Sequence, residues 1–482
     1  MPRLVGLDLG TTSCKAVAID EAGRLLASAS REYELLTPRP GWTEQDPADW
    51  WSAALDCLSH LGERPDAVGL TGQMHGSVFL DDTGSVIRPA LLWNDQRTAA
   101  EAADFEQRVG RERLMRITRN PALTGFQAPK ALWLKQHEPN NFSRLATLLL
   151  PKDYIRFRLC GERITDTSDA SGTSLFDVVQ RRFCPELAEA VGLGLGQLPG
   201  CVEGFEPAGR VSSEVLPGWA GVPIAGGGGD QAAGAVGTGA VTPDVVSVSL
   251  GTSGVVFSAQ NDSAYDPEGR VHTFCHANGS WHSMSVMLSC GGALRWARDT
   301  FGFAGYDEMA ALAAERDQTE SVFLPYLAGE RAPHNDPNLR GAFRGLSLTD
   351  GRAEIAGAVF DGVTFGLCDG LDILTEIRGG HRPDALRVTG GGAASDYWMQ
   401  LLADATGCVT VRIEADEGPA FGAALLAGVC AGVWPSVGQA AAEAVRVGRE
   451  FRPGPEQDAV RERRIRWLTQ VREHVRRGTT GA

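Results

Sequence analysis

Two short stretches, about half the chain apart, constrain the fold more than anything else in these 482 residues. LDLGTTSCKAVAID covers residues 7–20 and VSLGTSGVVFSAQ covers 248–260. Each reads as an apolar strand, the tripeptide LGT, a small hydroxyl residue and a second apolar strand. Glycine permits the tight turn that such a hairpin demands. A repeat at the start of each half predicts two similar α/β domains with a cleft between them. The divide falls near TPDVV (242–246), giving domains of 1–244 and 245–482. This length suits two or three domains better than one core.

The first half continues in the same style. EAG (21–23) is a turn before LLASASREYEL, so the chain opens as a β-meander. PADWWSAALDCLSHLG (47–62) has helical periodicity with proline near its start, and PDAVGLTGQ (65–73) is a strand. The stretch LTGQMHGSVFL (70–80) therefore lies where a strand ends, the side of an open sheet on which ligands gather. Met74 and His75 stand there between Gly72 and Gly76. Two interpretations are open: a ligand-facing pair, or a core histidine beside a filler methionine.

Composition bounds the function class. With 43% hydrophobic and 22% charged residues the chain is globular. A formal net charge of −15 argues against nucleic acid or an anionic membrane as partner. The apolar stretch 420–434 is short and glycine-rich for a membrane span and is expected as a buried helix. The start, MPRLVGLDLG, lacks the pattern of a secretory signal, and the ten cysteines form no CxxC. Buried free thiols in a cytoplasmic protein are expected. HTFCH (272–276) has no second cluster to close a metal site. The charge run after residue 453 is expected as the solvated face of a surface helix.

Four motifs can carry chemistry. In DLGTTSCK (8–15), the turn at Gly10, the hydroxyls of Thr11 and Thr12, and Lys15 can face an anion, while Asp8 can hold Mg2+ through water. An ordinary hairpin turn is the alternative, but the matching turn Gly251-Thr252-Ser253 favours a two-sided phosphate clamp. In GGGGDQAAGAVGTG (226–239), Asp230 is either a helix cap or a base that accepts a proton from a substrate hydroxyl. Its place at a helix start should favour the ionised form. The glycine run leaves the backbone bare, as if something bulky lay against it. In RVTGGGAASDYWMQLLADATG (387–407), a strand runs into Gly390, Gly391 and Gly392 before a helix that begins near Ser395. That is a nucleotide-type turn or a plain strand–helix turn, and it lacks the dinucleotide fingerprint. EGPAFGAALLAG (417–428) reads as a thin structural helix packed behind that turn.

Taken together, the motifs resemble the FGGY family of carbohydrate kinases, over residues 4 to 435. FQAPKALWLK (126–135) and GAFRGLSLTDGRAEIAGAVFDG (341–362) look like the family's two signatures. GQMHG (72–76), PKDYIRFRLCGE (151–162), TDTSDASGTSLFD (165–177) and FLPYLAGERAPHNDPNLRG (323–341) look like its xylulokinase subgroup. The resemblance implies two ribonuclease-H-like (actin-like ATPase) domains, the first binding sugar and the second nucleotide. It implies ATP and Mg2+ as cosubstrate and metal, D-xylulose as acceptor, and a homodimer. It also implies roles: Met74 and His75 on the sugar, Asp230 as base, Asp8 near Mg2+ and the phosphates. Gly10, Thr11, Thr12, Lys15, Gly251, Thr252 and Ser253 would bind phosphates, and Gly390, Gly391 and Gly392 adenosine. Gln231, where the subgroup often has asparagine, is the departure that bears on sugar specificity. The rivals are another polyol or ketose as acceptor, and an actin-like ATPase that drives a protein partner.

Overall fold

The computed structural model describes residues 1–316, 320–414 and 418–479. Two sheets dominate. In the first, strand Leu4–Leu9 runs antiparallel to Ser13–Ile19 and parallel to Ala67–Gly72. Leu25–Glu32 extends the antiparallel side and Pro223–Ala225 the parallel side. In the second, Val245–Leu250 runs antiparallel to Gly254–Gln260 and parallel to Ala385–Thr389. Trp281–Met287 and Val409–Ile413 extend it on the corresponding sides. The same five-strand order and direction thus recurs, as the repeated hairpin predicts.

Local chemistry accounts for the elements. Asp46 caps the helix Pro47–His60, accepting from the N–H of Ala48, with proline in its first turn. Ser395 caps the helix Asp396–Thr406 by accepting from Trp398. Each half has its own core; Trp50 sits in the first and Trp398 in the second.

Helix Pro419–Cys430 departs from the expected packing, and Glu417, which opens its motif, lies outside the described residues. It does not lie behind the Gly390–Gly392 turn. It crosses to the first sheet and to helix Asp230–Thr238. A Cβ on Gly6 would come within 1.9 Å of the Ala420 carbonyl oxygen, and one on Gly69 within 1.9 Å of that of Ala423. A Cβ on Gly422 would lie 1.8 Å from the Ala233 oxygen. Only bare backbones approach this closely. The tail is the expected surface helix, with most of its charges exposed, but one face of it is built into the domain. In helix Gln457–Thr479 the Trp467 indole is buried and donates to the Phe323 carbonyl at 2.8 Å. Arg463 pairs with Asp361, and Arg464 with Asp369 and Asp372, so part of the charge run faces inward. All ten cysteines are free thiols, six buried and four partly exposed. Among the described residues no helix is long and apolar enough to cross a membrane.

Candidate active site

Asp8 stands on the central strand of the first sheet, flanked by Lys15 and Thr71 on the neighbouring strands. Burial and the negative charge of Asp230 push its carboxyl up to about 7, against the pull of Lys15. Its buried Oδ1 has no hydrogen-bond partner among the described residues. A carboxylate beside another carboxylate, with an orphaned oxygen, suits a hard divalent cation. No group of three or more metal-ligating side chains occurs among the described residues, so most ligands of such a cation would be water and phosphate. The turn that follows is held from outside. Gly10 donates to the Ser13 carbonyl at 3.0 Å, the Gln45 amide to the Thr11 carbonyl at 2.7 Å, and the Trp93 indole to the Thr11 hydroxyl at 3.0 Å.

Asp230 is the first residue of its helix, and Gly229 occupies the cap position. The carboxylate is therefore not consumed as a cap. Burial pushes it up to about 6, outweighing the Gln231 backbone and side-chain N–H groups that draw it down. The helix start does not dominate here, contrary to the sequence expectation. A pKa near 6 leaves the group mostly ionised at neutral pH and makes it a stronger base than an ordinary aspartate. The glycine run has an internal cause. Cβ atoms on Gly226 and Gly227 would meet the carbonyls of Glu203 and Leu70 at 2.3 and 1.9 Å, and one on Gly229 would meet Met74 Cγ at 2.8 Å. What lies against these glycines is the protein itself.

That last contact brings the GQMHG turn to the base. His75 has a positive φ of 67°, a conformation rare outside glycine and asparagine. Lys130 holds it there, donating to the carbonyls of His75 at 2.8 Å and Gly125 at 2.6 Å. The Gln127 amide holds the next carbonyl, that of Gly76, at 2.7 Å. The ring stacks on Phe126 with centroids 4.4 Å apart. Its Nδ1 lies 2.6 Å from the Gly172 carbonyl and must carry the proton, which leaves Nε2 as an acceptor. Burial pushes the imidazole down to about 3, so it is neutral in use. Met74 is 4% exposed and clusters with Phe126, Ala235 and Phe274, forming the floor beneath the histidine. It packs as a core filler, and neither it nor His75 lines the two cavities described below.

Sequence reading assigned no role within TDTSDASG. Here the Ser168 hydroxyl accepts from the Gly229 N–H at 3.2 Å, and Gly172 orients His75. Behind them the buried Lys152 ammonium lies 2.8 Å from Asp166 and 3.4 Å from Asp169. The density of acids around the PKD sequence was the available signal.

The second half supplies the facing wall. Gly390 lines a cavity of about 180 Å³ together with Asp230, Gln231, Ser247 and Ser249. Gly251, Thr252, Gly391 and Gly392 line an adjoining-half cavity of about 450 Å³ with Arg295, Tyr306 and Trp398. A Cβ on Gly392 would meet the Trp398 ring at 2.4 Å, and Gly390 has a φ of 83°, hard against Leu250. Thr11, Thr12 and Lys15 stand on the first hairpin and Ser253 in the second turn, outside the walls of both cavities.

Comparison with known proteins agrees with this geometry. The model of the FGGY family of carbohydrate kinases, N-terminal domain, matches residues 3–237, and that of the C-terminal domain matches 246–431. The chain is 43% identical to the xylulose kinase of Escherichia coli (strain K12) over 438 residues, 89% of this chain and 90% of that protein. The crystal structure of a xyloylose kinase from Brucella ovis superposes with a TM-score of 0.92 at 39% identity, covering 97% of this chain and 98% of that one. A gluconate kinase from Lactobacillus acidophilus also reaches 0.92, at 25% identity and 98% of both chains, so the fold by itself does not choose the sugar.

Proposed function

The chain belongs to the FGGY family of carbohydrate kinases, with that family's two-domain, actin-like ATPase fold, and from this premise we propose that it transfers the γ-phosphoryl of ATP to the terminal hydroxyl of D-xylulose. One observation carries the assignment. Asp230 follows Gly229, against which Met74 packs, and also lines a cavity walled by the Gly390 turn of the other half. An acceptor resting on the first and a donor on the second would meet at this oxygen.

In the mechanism, the sugar lies on Met74 while His75 Nε2 accepts from one of its hydroxyls. Asp230 accepts the proton of the attacking hydroxyl, and Gln231 steadies its carboxylate. The turns at Gly10–Thr12, with Lys15, and at Gly251–Ser253 bind the phosphates from two sides, and the Gly390–Gly392 turn and the larger cavity receive the nucleoside. Asp8 is the residue that would hold Mg2+, whose chemistry is neutralisation of phosphate charge. Closure of the cleft excludes water as a competing acceptor. Residues 1–244 act as the sugar unit and 245–482 as the nucleotide unit, in a cytoplasmic homodimer; light scattering tests the dimer.

The test is ADP release from MgATP over D-xylulose, D- and L-ribulose, L-xylulose, glycerol, xylitol and no acceptor. A strong preference for D-xylulose is expected. Preference for another sugar moves the specificity to Gln231, and indifference to every sugar overturns the kinase assignment in favour of a partner-driven ATPase.

A further inference from the structure

Arg331 is a guanidinium with no ion pair within salt-bridge distance among the described residues, although its charge feels that of the adjacent Glu330. It belongs to the segment 325–341 that follows strand Val322–Leu324 of the second half. Its neighbour Glu330 is buried and spent on backbone, accepting the N–H groups of Leu288 at 2.9 Å and of Arg331 itself at 2.8 Å. Ala332 in turn donates to the Val286 carbonyl at 3.1 Å. The Glu330 side chain and the Ala332 N–H thus tie the segment around Arg331 to Leu288 and Val286, at the end of strand Trp281–Met287.

Among the described residues the side chain makes one hydrogen bond, from Nη1 to His272 Nε2 at 3.4 Å. The polarity of that bond is fixed from behind. Asn120 uses its amide N–H groups on the carbonyls of Thr118 and Thr273, so its oxygen must accept from His272 Nδ1, 3.1 Å away. His272 Nε2 is then an acceptor, and Arg331 donates to it. Among the described residues none of its guanidinium nitrogens is both sealed from solvent and unpartnered, so the remaining donors of this partly buried side chain keep some access to the cleft.

The position of this open fork matters. The His272 ring lies 6.1 Å from Phe126 and stacks on Phe274 at 5.5 Å, and Phe126 stacks on His75. From Asp230 the order of groups runs through Met74, His75 and Phe126 to His272 and Arg331. The base stands at one end of this row and Arg331 at the other.

We infer that Arg331 is a sugar-binding residue contributed by the second half, donating to oxygens at the end of the substrate remote from Asp230. The inference rests on the sugar-kinase assignment above. The chemistry is complementary to that of the first half. His75 Nε2 only accepts, whereas a guanidinium only donates, and its planar fork fits two neighbouring oxygens such as a carbonyl and its adjacent hydroxyl. A sugar held by both groups ties the two halves together across the cleft.

The experiment measures KM for D-xylulose and for ATP separately in the wild type, Arg331→Met and Arg331→Lys. Arg331→Met should raise KM for the sugar about tenfold or more while KM for ATP stays within about twofold. Added methylguanidinium should restore part of the loss. Should the methionine variant fail to fold, Arg331→Lys keeps stem and charge and should still raise KM for the sugar severalfold. An unchanged sugar KM in a folded variant, or equal rises for sugar and ATP, overturns the inference and leaves the kinase assignment standing. A wild type that phosphorylates no sugar removes both.

Discussion

Replacing Asp230 by asparagine should abolish turnover and stabilise the protein. The second effect follows from burial. An aspartate ordinarily titrates at 3.8, and this one is pushed up to about 6 in the fold. A group whose folded pKa is raised favours the folded state only when protonated. Its ionisation therefore costs stability, beginning as pH rises past the unfolded value and complete above the folded one. A shift of this size corresponds to about 3 kcal/mol at most, at about 1.4 kcal/mol per unit, and residual solvent at the carboxylate brings the working range to about 1–3 kcal/mol. Asparagine keeps the shape and an acceptor for the Gln231 N–H but carries no charge. Asp230→Asn should then melt about 2–6 °C above the wild type at pH 7.5. At pH 4.5 the gain should shrink to about a third, because the wild-type carboxyl is then largely protonated when folded. The assay is paired thermal melts at the two pH values, with turnover measured on the same preparations. Loss of activity of about 100-fold or more should accompany the gain. A variant no more stable than wild type at pH 7.5, or a gain indifferent to pH, refutes the account of a carboxylate held in a desolvated, destabilising site.

The same shift sets the rate profile: kcat/KM should fall as pH drops through about 6, and Gln231→Met, which removes a donor that draws the carboxylate down, should move that acid limb to higher pH. His75→Asn keeps a residue that tolerates the left-handed backbone but loses the Nε2 acceptor, so KM for the sugar should rise about tenfold with KM for ATP unchanged in separate titrations. Gly422→Ala forces a methyl into the Ala233 carbonyl, and calorimetry should show destabilisation of about 1–3 kcal/mol, although this glycine touches no proposed ligand.

The hairpins at Gly10 and Gly251 were legible because their determinants are local: apolar runs, buried almost throughout, on either side of a glycine where the chain must reverse. So was the Asp46-capped helix. Asp230 was legible as a residue, but not as a raised-pKa base, since the burial that shifts it comes from segments remote in sequence. The glycines before it invited a ligand, yet they make room for Glu203, Leu70 and Met74. Helix Pro419–Cys430 was legible as thin and buried, but the sheet it covers lies at the other end of the chain, and its small residues fit many partners. Arg331 and the Lys130 brace stayed silent for the same reason. An arginine outside any ion pair, or a lysine spent on carbonyls, is defined by what surrounds it in space.

Regiochemistry of the product bears most directly on Asp230 as the meeting point of sugar and nucleotide. Wild-type protein, MgATP and D-xylulose should yield a single phosphate monoester whose phosphorus resonance couples to the C5 protons. Asp230→Asn should yield none on the same time scale. Phosphate on another carbon, inorganic phosphate without a sugar ester, or an undiminished C5 ester from the asparagine variant would contradict the account.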